Sequence, residues 1–373
     1  MESCLARTRV KGVRQAEVYH THSRTKSVRL QQNRVFHKEG LTSSYRLRVL
    51  LHGMIGTAVG CEFSDALIDA AISNAFASSI DFAKPQTYPV VSGIDDPSVD
   101  GLSIDEMTDV VRSLAEASDV SVIEMAAERE QVEIANSLGV YGRYTHSLVK
   151  LVVSENARPP STFYQRSKLT MAELKKCFHK RLATKTETLA GTVNVIFIPS
   201  AADVLLNDCF SDGISPTAGF PSCFNLTDDA LRKGGTGARP FDDAGYACTT
   251  TPIVTAGKVV TVSPQGPGFY YADDTGWITT RWNHLIVQPS TTDIASSFTG
   301  LFIEHVKRIG ETWRIWGKRY EDGNAVAECL PAVIRESSLT LLARLTAIGN
   351  DPNLHSPSLR IDNVRIEPSP FAV

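Results

Sequence analysis

A chain of 373 residues with 42% hydrophobic and 21% charged side chains has the make-up of a soluble globular protein with more than one core. Its formal net charge of -3 gives no global reason to expect nucleic acid or a membrane, and no apolar run is long enough to span a bilayer. The seven cysteines (4, 61, 177, 209, 223, 248 and 329) are odd in number, scattered and never in a C-x-x-C pair. That pattern argues against a disulfide framework and against a cysteine zinc site. Residues 1–15 are polar and basic, without the apolar stretch of a secretory signal, so a reducing cytoplasm is expected.

Residues 1–50 carry eleven Lys and Arg against three Glu, a local net of +8. Because these charges alternate with strand-forming residues, they read as a solvated sheet face; the sharper reading is a dock for an acidic partner. Three β-rich stretches begin at Glu17, Lys26 and Ser44, and His52-Gly53 turns the last back into Ile55–Val59. A helix follows with Ser64 as N-cap and Leu67, Ala70, Ala71, Asn74 and Ala75 along its inner stripe. A loop over 84–102 leads to a second helix opened by the capping box Ser103/Glu106, burying Met107, Val110, Val111 and Leu114. Strands resume at Val120–Glu133 and Tyr141–Ser154 around an Asn136–Gly139 turn. The order β-β-β-α-α-β-β predicts an α+β domain of antiparallel strands with two helices over 1–157.

A linker is expected at about 158–167, around Pro159-Pro160, with a second domain over 168–373. That domain opens on a helix capped by Thr170/Glu173 and running to Leu182. A buried strand follows at Val193–Ile198, then a short helix capped by Ser200. From Ser211 to Pro289, Gly, Pro, Thr and Asp dominate, which predicts a mostly β region with irregular loops. A last helix is expected over Ser338–Ile348, stopped by Gly349 in a left-handed C-cap, and a strand from Ser358 to Ile366 closes the chain.

Catalytic signatures are missing. No His-Glu-x-x-His or His-Glu-x-x-x-His run occurs, and no Gly-x-Ser-x-Gly elbow raises the prospect of a nucleophilic serine. His20 and His22 share one face of a strand, but no neighbouring Cys or acid completes a metal set. Glu304 and His305, adjacent on a strand, point to opposite faces. The glycine-rich 234–237 stretch lacks the Lys-Ser/Thr and the helix of a phosphate loop, so it reads as a flexible turn. The acid pairs Asp228-Asp229, Asp242-Asp243 and Asp273-Asp274 are read as turns that bond their own backbone, with a hard-cation site as the alternative.

Three of these segments carry a resemblance. Thr227-Asp-Asp-Ala-Leu, Gly237-Ala-Arg-Pro-Phe-Asp-Asp-Ala-Gly245 and Thr250-Thr-Pro-Ile-Val-Thr-Ala-Gly-Lys258 resemble, in order, motifs of the TldD/PmbA family, once called modulators of DNA gyrase. Asn136–Gly139, Gly300–Ile303, Ala347–Asp351 and Pro357–Ile361 extend the match over nearly the whole chain, as do Ala16–Tyr19 and Tyr45–Val49. TldD-type subunits of that family hold zinc with a His-Glu-x-x-x-His helix and a downstream Cys. Here the corresponding helix, Ser200–Phe210, has no His, and Pro352–Pro357 replaces the Cys loop. The resemblance therefore implies the PmbA (TldE) side: no catalytic residues, no metal of its own, and a heterodimer with a TldD-like zinc peptidase, the zinc residing in that partner. A homodimer is the fallback. Peptide substrates are implied, and Arg239, Asp242 and Asp243 are the residues put forward to bind them. Departures include Ala244 where relatives carry Glu and a shortened middle between Phe210 and Thr227, which suggests a trimmed member serving one precursor peptide. The partner-facing surface is expected near Gly300–Ile303, Trp282, Trp313 and Trp316. The competing functions are a stand-alone hydrolase with an unrecognised nucleophile and a nucleic-acid- or gyrase-associated regulator, the latter unlikely on charge.

Overall fold

β-Branched and aromatic residues interleaved with charges make the first half a sheet of long strands. The computed structural model describes every residue except 77–79, 118–119, 155–159, 168–185, 352–355 and 370–373. After a short helix α1 (Glu2–Val10) come β1 (Gln15–Gln31), β2 (Arg34–Leu51) and β3 (Met54–Gly60). The stretches starting at Glu17 and Lys26 are thus one strand of 17 residues, because no Gly or Pro stands between them to break it. Helices α2 (Asp65–Ser73) and α3 (Ile104–Ala117) follow, then β4 (Val122–Asn136), β5 (Tyr141–Ser154) and β6 (Ser161–Gln165). All six strands form one antiparallel sheet in the order β3-β2-β1-β4-β5-β6. The stretch read as a linker at 158–167 therefore contributes an edge strand, Ser161–Gln165, paired to Val149–Val153.

Both expected caps are present: the Ser64 side chain accepts from Leu67 N, and Ser103 and Glu106 bond reciprocally. Helix α2 turns Ile68 inward beside Leu67 and Ala71, whereas Ala70 of the expected stripe is exposed. α3 buries Met107, Val111 and Leu114 against Val28, Ile123 and Leu151. The basic excess is mostly used inside the chain. Arg7 pairs with Asp65, Lys11 with Asp69, and Lys26 donates to the carbonyls of Asp100 and Leu102.

The second half holds β7 (Thr186–Glu187), β8 (Gly191–Phe197) and α4 (Pro199–Phe210). Short strands β9 (Leu226–Asp229), β10 (Thr250–Thr255), β11 (Lys258–Val259), β12 (Tyr270–Ala272), β13 (Ile278–Thr280) and β14 (Leu285–Val287) bear out the irregular β reading. Then come β15 (Gly300–Ile309), β16 (Thr312–Glu321), β17 (Asn324–Ile334), α5 (Ser338–Ala343), β18 (Leu345–Ile348) and β19 (Leu359–Pro368). Seven of these strands form a mixed sheet, β18-β19-β8-β15-β16-β17-β7, and a further β17–β19 pairing closes its five middle strands on themselves. α4 and α5 pack Leu205, Leu206, Leu341 and Leu342 into its core.

Several expectations change here. α4 begins at Pro199 with Ile198 as its N-cap and no side-chain cap, because proline's fixed φ suits the first helical position and so draws Ser200 inside the helix. The last helix stops at Ala343, and Leu345–Ile348 leaves it to pair with β19; Gly349 is not in the left-handed region. A β-bulge falls between Ile303 and His305, and buried Glu304 pairs with Lys318 at 3.0 Å. The helix expected over Thr170–Leu182 lies outside the described residues. The aromatic and aliphatic residues expected to face a partner are core instead: Trp282, Trp313 and Trp316 are each under a tenth exposed, and Leu301 and Ile303 are buried with them. The Trp282 indole donates to Phe210 O at 2.9 Å, which satisfies its one polar atom inside.

Candidate functional site

The best-matching motif, Gly237–Gly245, lies where the second half meets the N-terminal sheet. Asp242 is fully buried. Its Oδ1 accepts from the backbone N–H of Ala244 and Tyr246, and its Oδ2 from Gly268 and Tyr270, at 2.8–3.1 Å. One carboxylate thus ties its own turn to a distant loop. Burial pushes the Asp242 carboxyl up to about 6, while the N–H groups of Tyr246 and Tyr270 pull the other way.

Asp243 faces the sheet. Its Oδ1 accepts from Arg239 Nη1 at 2.9 Å and from the Tyr19 hydroxyl of β1 at 3.1 Å; its Oδ2 accepts from Ala272 N at 2.8 Å. Arg46 of β2 donates to the Asp243 carbonyl and lies 4.3 Å over the Tyr19 ring. Arg239 also donates to Asn283 Oδ1 and Tyr270 O. Burial holds the Tyr19 phenol well above its ordinary pKa, so it donates as a neutral hydroxyl.

Gly245, at φ 80°, closes the turn. Its carbonyl accepts from Gln86 and Tyr88, and a Cβ there would meet Ile134 Cδ1 at 2.9 Å. Behind it, Arg48 of β2 and Glu17 of β1 form a buried pair at 2.9 Å, with Arg48 also bonded to Ile80 O and packed over Phe82. The structure thus brings Arg239, Asp242 and Asp243 together. It also adds Glu17, Tyr19, Arg46, Arg48, Gln86, Tyr88 and Asn283; the first four lie in the family-like segments Ala16–Tyr19 and Tyr45–Val49, but the sequence assigns none of the seven to this site. Glu17 and Arg48 occupy opposed positions of the β1–β2 register, a relation visible only once that register is known.

Of the other acid pairs, Asp273-Asp274 follows the turn reading, whereas Asp228 lies in β9 and bonds across to a distant loop instead of its own backbone. Buried Asp228 accepts from His284 N and Asn283 Nδ2, and Asp273 Oδ1 from the N–H groups of Thr275 and Trp277. His20 bonds Ser43 at 2.9 Å and stacks on Tyr45. Among the described residues no group of three or more His, Cys, Asp or Glu could hold a metal ion.

Of the two segments that would carry zinc ligands in a TldD-type chain, the first, α4, meets Ser356 of the second. On α4, Asp203 Oδ1 accepts from Ser356 N at 3.1 Å. The Asn207 side chain donates to Asp203 O, and Asp208 pairs with Arg308 and accepts from the Ser338 hydroxyl. Ser356 itself, fully buried, accepts from Val287 N and donates to Leu285 O. Oxygens so committed, without a histidine on the helix, do not fit a zinc ion. Beside β18 lies an open cleft of about 380 Å³ lined by Cys223, Asn225, Ser290 and Thr346 among others.

A long antiparallel sheet joined through an Asp-rich loop to a mixed, closed sheet with irregular insertions defines the architectural class. Comparison places it. The PmbA/TldA metallopeptidase central domain matches residues 97–189, and the corresponding C-terminal domain matches residues 190–368. The chain belongs to the PmbA/TldD family. Similar solved structures include a candidate modulator of DNA gyrase from Thermotoga maritima, at TM-score 0.82 and 18% identity over 98% of both chains. TldE from Thermococcus kodakarensis superposes at TM-score 0.80 with 13% identity, over 98% of this chain and 99% of that one. A candidate modulator of DNA gyrase from Bacteroides thetaiotaomicron does so at 0.74 and 16% identity, over 99% and 98%. At these identities the structures speak for the fold alone. No curated protein sequence matches the chain. No helix among the described residues is long and apolar enough to cross a membrane.

Proposed function

We propose that the chain is a TldE-type subunit without catalytic residues of its own, paired in the cytoplasm with a TldD-like zinc metallopeptidase and helping to enclose peptide substrates. The observation that carries this reading is the donor set at the ligand helix. Asp203, Asn207 and Asp208 are engaged by Ser356, the helix backbone, Ser338 and Arg308, and the helix has no histidine. Zinc needs three protein ligands and an open position, and this set offers neither.

In the same reading Arg239, Asp242 and Asp243 act by position. Their polar atoms are bonded to the chain's own groups, so they hold the motif loop against the N-terminal sheet and shape the peptide chamber from behind. The test is co-expression with a TldD-like chain, followed by size-exclusion chromatography, elemental analysis and peptide cleavage. Zinc is expected in the complex and not in this chain purified alone, and cleavage is expected to need both chains. One zinc per isolated chain, or a partner that elutes separately and cleaves equally well alone, overturns the reading.

A further inference from the structure

The hairpin β12–β13 is a two-stranded sheet of its own, and its hydrogen bonds fix where each backbone group points. Asp273 N donates to Trp277 O and Arg281 N to Phe269 O, so the bonded pairs alternate as 269–281, 271–279 and 273–277. The outer edge of β12 is filled by the Asp-rich loop. Tyr270 N donates to Asp242 Oδ2 and Ala272 N to Asp243 Oδ2, while Tyr270 O accepts from Asp243 N and Arg239. On β13 the same alternation turns the N–H and C=O groups of Ile278 and Thr280 outward, where among the described residues they meet no strand. Ile278–Thr280 carries no proline, no charge and no register shift. Trp277, Thr279 and Arg281 are exposed and share one face with Tyr271. Trp277, 50% exposed, stacks on Phe76 with ring centroids 4.6 Å apart. The Arg281 guanidinium lies 3.2 Å from the Tyr271 ring centre, and among the described residues it meets no carboxylate. The edge is held firmly, since a Cβ at Gly276 would meet Val59 at 2.7 Å and Thr57 at 2.8 Å on β3.

We propose that the β13 edge binds an extended peptide as a third, antiparallel strand, with an acidic residue at Arg281 and an apolar residue four positions later at Trp277. Strand addition to a free edge draws its affinity from main-chain bonds and its selectivity from alternate side chains. Here the main-chain groups are those of Ile278 and Thr280, and the selecting side chains are Arg281, Thr279 and Trp277. Three residues are too few to template another sheet but suit a short peptide. Antiparallel pairing is the more stable of the two orientations per residue. It places the acidic residue opposite Arg281, the next opposite Thr280, the third after it opposite Ile278 and the fourth opposite Trp277. Asp273 and Asp274 at the hairpin tip repel a carboxylate from the Trp277 end, which leaves Arg281 as its place. Asp242 and Asp243 thereby acquire a purpose: by filling the β12 edge they leave β13 as the strand that a ligand can extend.

The proposal rests on the peptide-enclosing reading for the class of its ligand. Binding is therefore measured on the full chain alone, so that failure here leaves intact the expectation that cleavage needs both chains. The probe is a fluorescein-labelled, end-blocked peptide with Glu and, four positions later, Phe, carrying Thr and Val elsewhere; anisotropy reads its binding. Saturable binding is expected, at least about fivefold weaker when the peptide's Glu becomes Lys. Arg281→Glu should invert that preference in favour of the Lys peptide. Backbone N-methylation one or three residues after the Glu removes an N–H aimed at Thr280 or Ile278, and should cost at least about tenfold. At the residue between them the N–H points away, and methylation should cost less than about threefold. No saturation up to about 1 mM peptide overturns the proposal. So do methylation losses that fail to alternate, or a reversed sequence that binds as tightly as the forward one.

Discussion

Replacing Asp242 with alanine is expected to lower the stability of the folded chain by about 4 kcal/mol, among the larger losses a point substitution produces. The carboxylate is fully buried and accepts from four backbone N–H groups, those of Ala244, Tyr246, Gly268 and Tyr270. Hydrogen bonds to a charged acceptor contribute about 1.5–3 kcal/mol each, and alanine leaves all four donors without a partner. Water entering the vacated space recovers part, which sets the estimate well below the simple sum. Asp274→Ala, at an exposed position of another acid pair, should stay within about 0.5 kcal/mol of the parent. Urea denaturation followed by circular dichroism reads both. If Asp242→Ala unfolds at the parent's midpoint while peptide cleavage by the assembled complex falls, the residue contacts peptide and its architectural role is wrong.

How far the sequence reveals this site depends on which interactions are local. Two of the three acid pairs read correctly as turns because an aspartate bonding the N–H two residues ahead is encoded within the turn itself, as Asp242 does with Ala244 and Asp273 with Thr275; Asp228 instead bonds from a strand to residues far along the chain. The caps at Ser64 and Ser103 are legible for the same reason. What joins the turn to the sheet is not local: Tyr19 and Arg46 reach residues about two hundred positions away. They lie in the family-like segments Ala16–Tyr19 and Tyr45–Val49, but nothing local pairs either with the distant loop. The tryptophans fail in the opposite sense. Trp282, Trp313 and Trp316 stand in segments with few charges, as either an interface or a core would, and only the closure of the sheet around them decides for the core. Ser161–Gln165 follows Pro159-Pro160 and looks like a connection, yet the free edge of β5 recruits it. The motif order is legible enough to identify the family, because several short segments occur along the chain in the family's order.

The second large effect is expected at the Glu17–Arg48 pair behind the turn. Both side chains are almost wholly buried, at 1% and 2% exposure, and meet at 2.9 Å. Burial raises the Glu17 carboxyl above its ordinary value, and Arg48 opposes the rise. Removing one partner of such a pair leaves a buried charge uncompensated and typically costs about 3–5 kcal/mol, whereas replacing both with apolar groups of similar size is often near neutral. Arg48→Met should therefore cost about 4 kcal/mol, and adding Glu17→Leu should recover at least about 2 kcal/mol of it, a coupling that independent sites would not show. The pH dependence has a definite sign. Without Arg48 the folded-state pKa of Glu17 rises further above its unfolded value of about 4.5, so the folded chain retains a proton that the unfolded chain releases. Above the folded pKa the full penalty of an ionised, buried carboxylate applies; as pH falls through that value the penalty disappears. The deficit of Arg48→Met relative to the parent should thus be largest near pH 8 and shrink toward pH 5, and the double variant should show no such slope. Denaturant titrations of the parent, both single variants and the double variant at those two pH values complete the cycle. Strictly additive losses with no pH dependence would mean that Arg48 supports Ile80 and Phe82 by packing, and that its charge contributes nothing to holding Glu17.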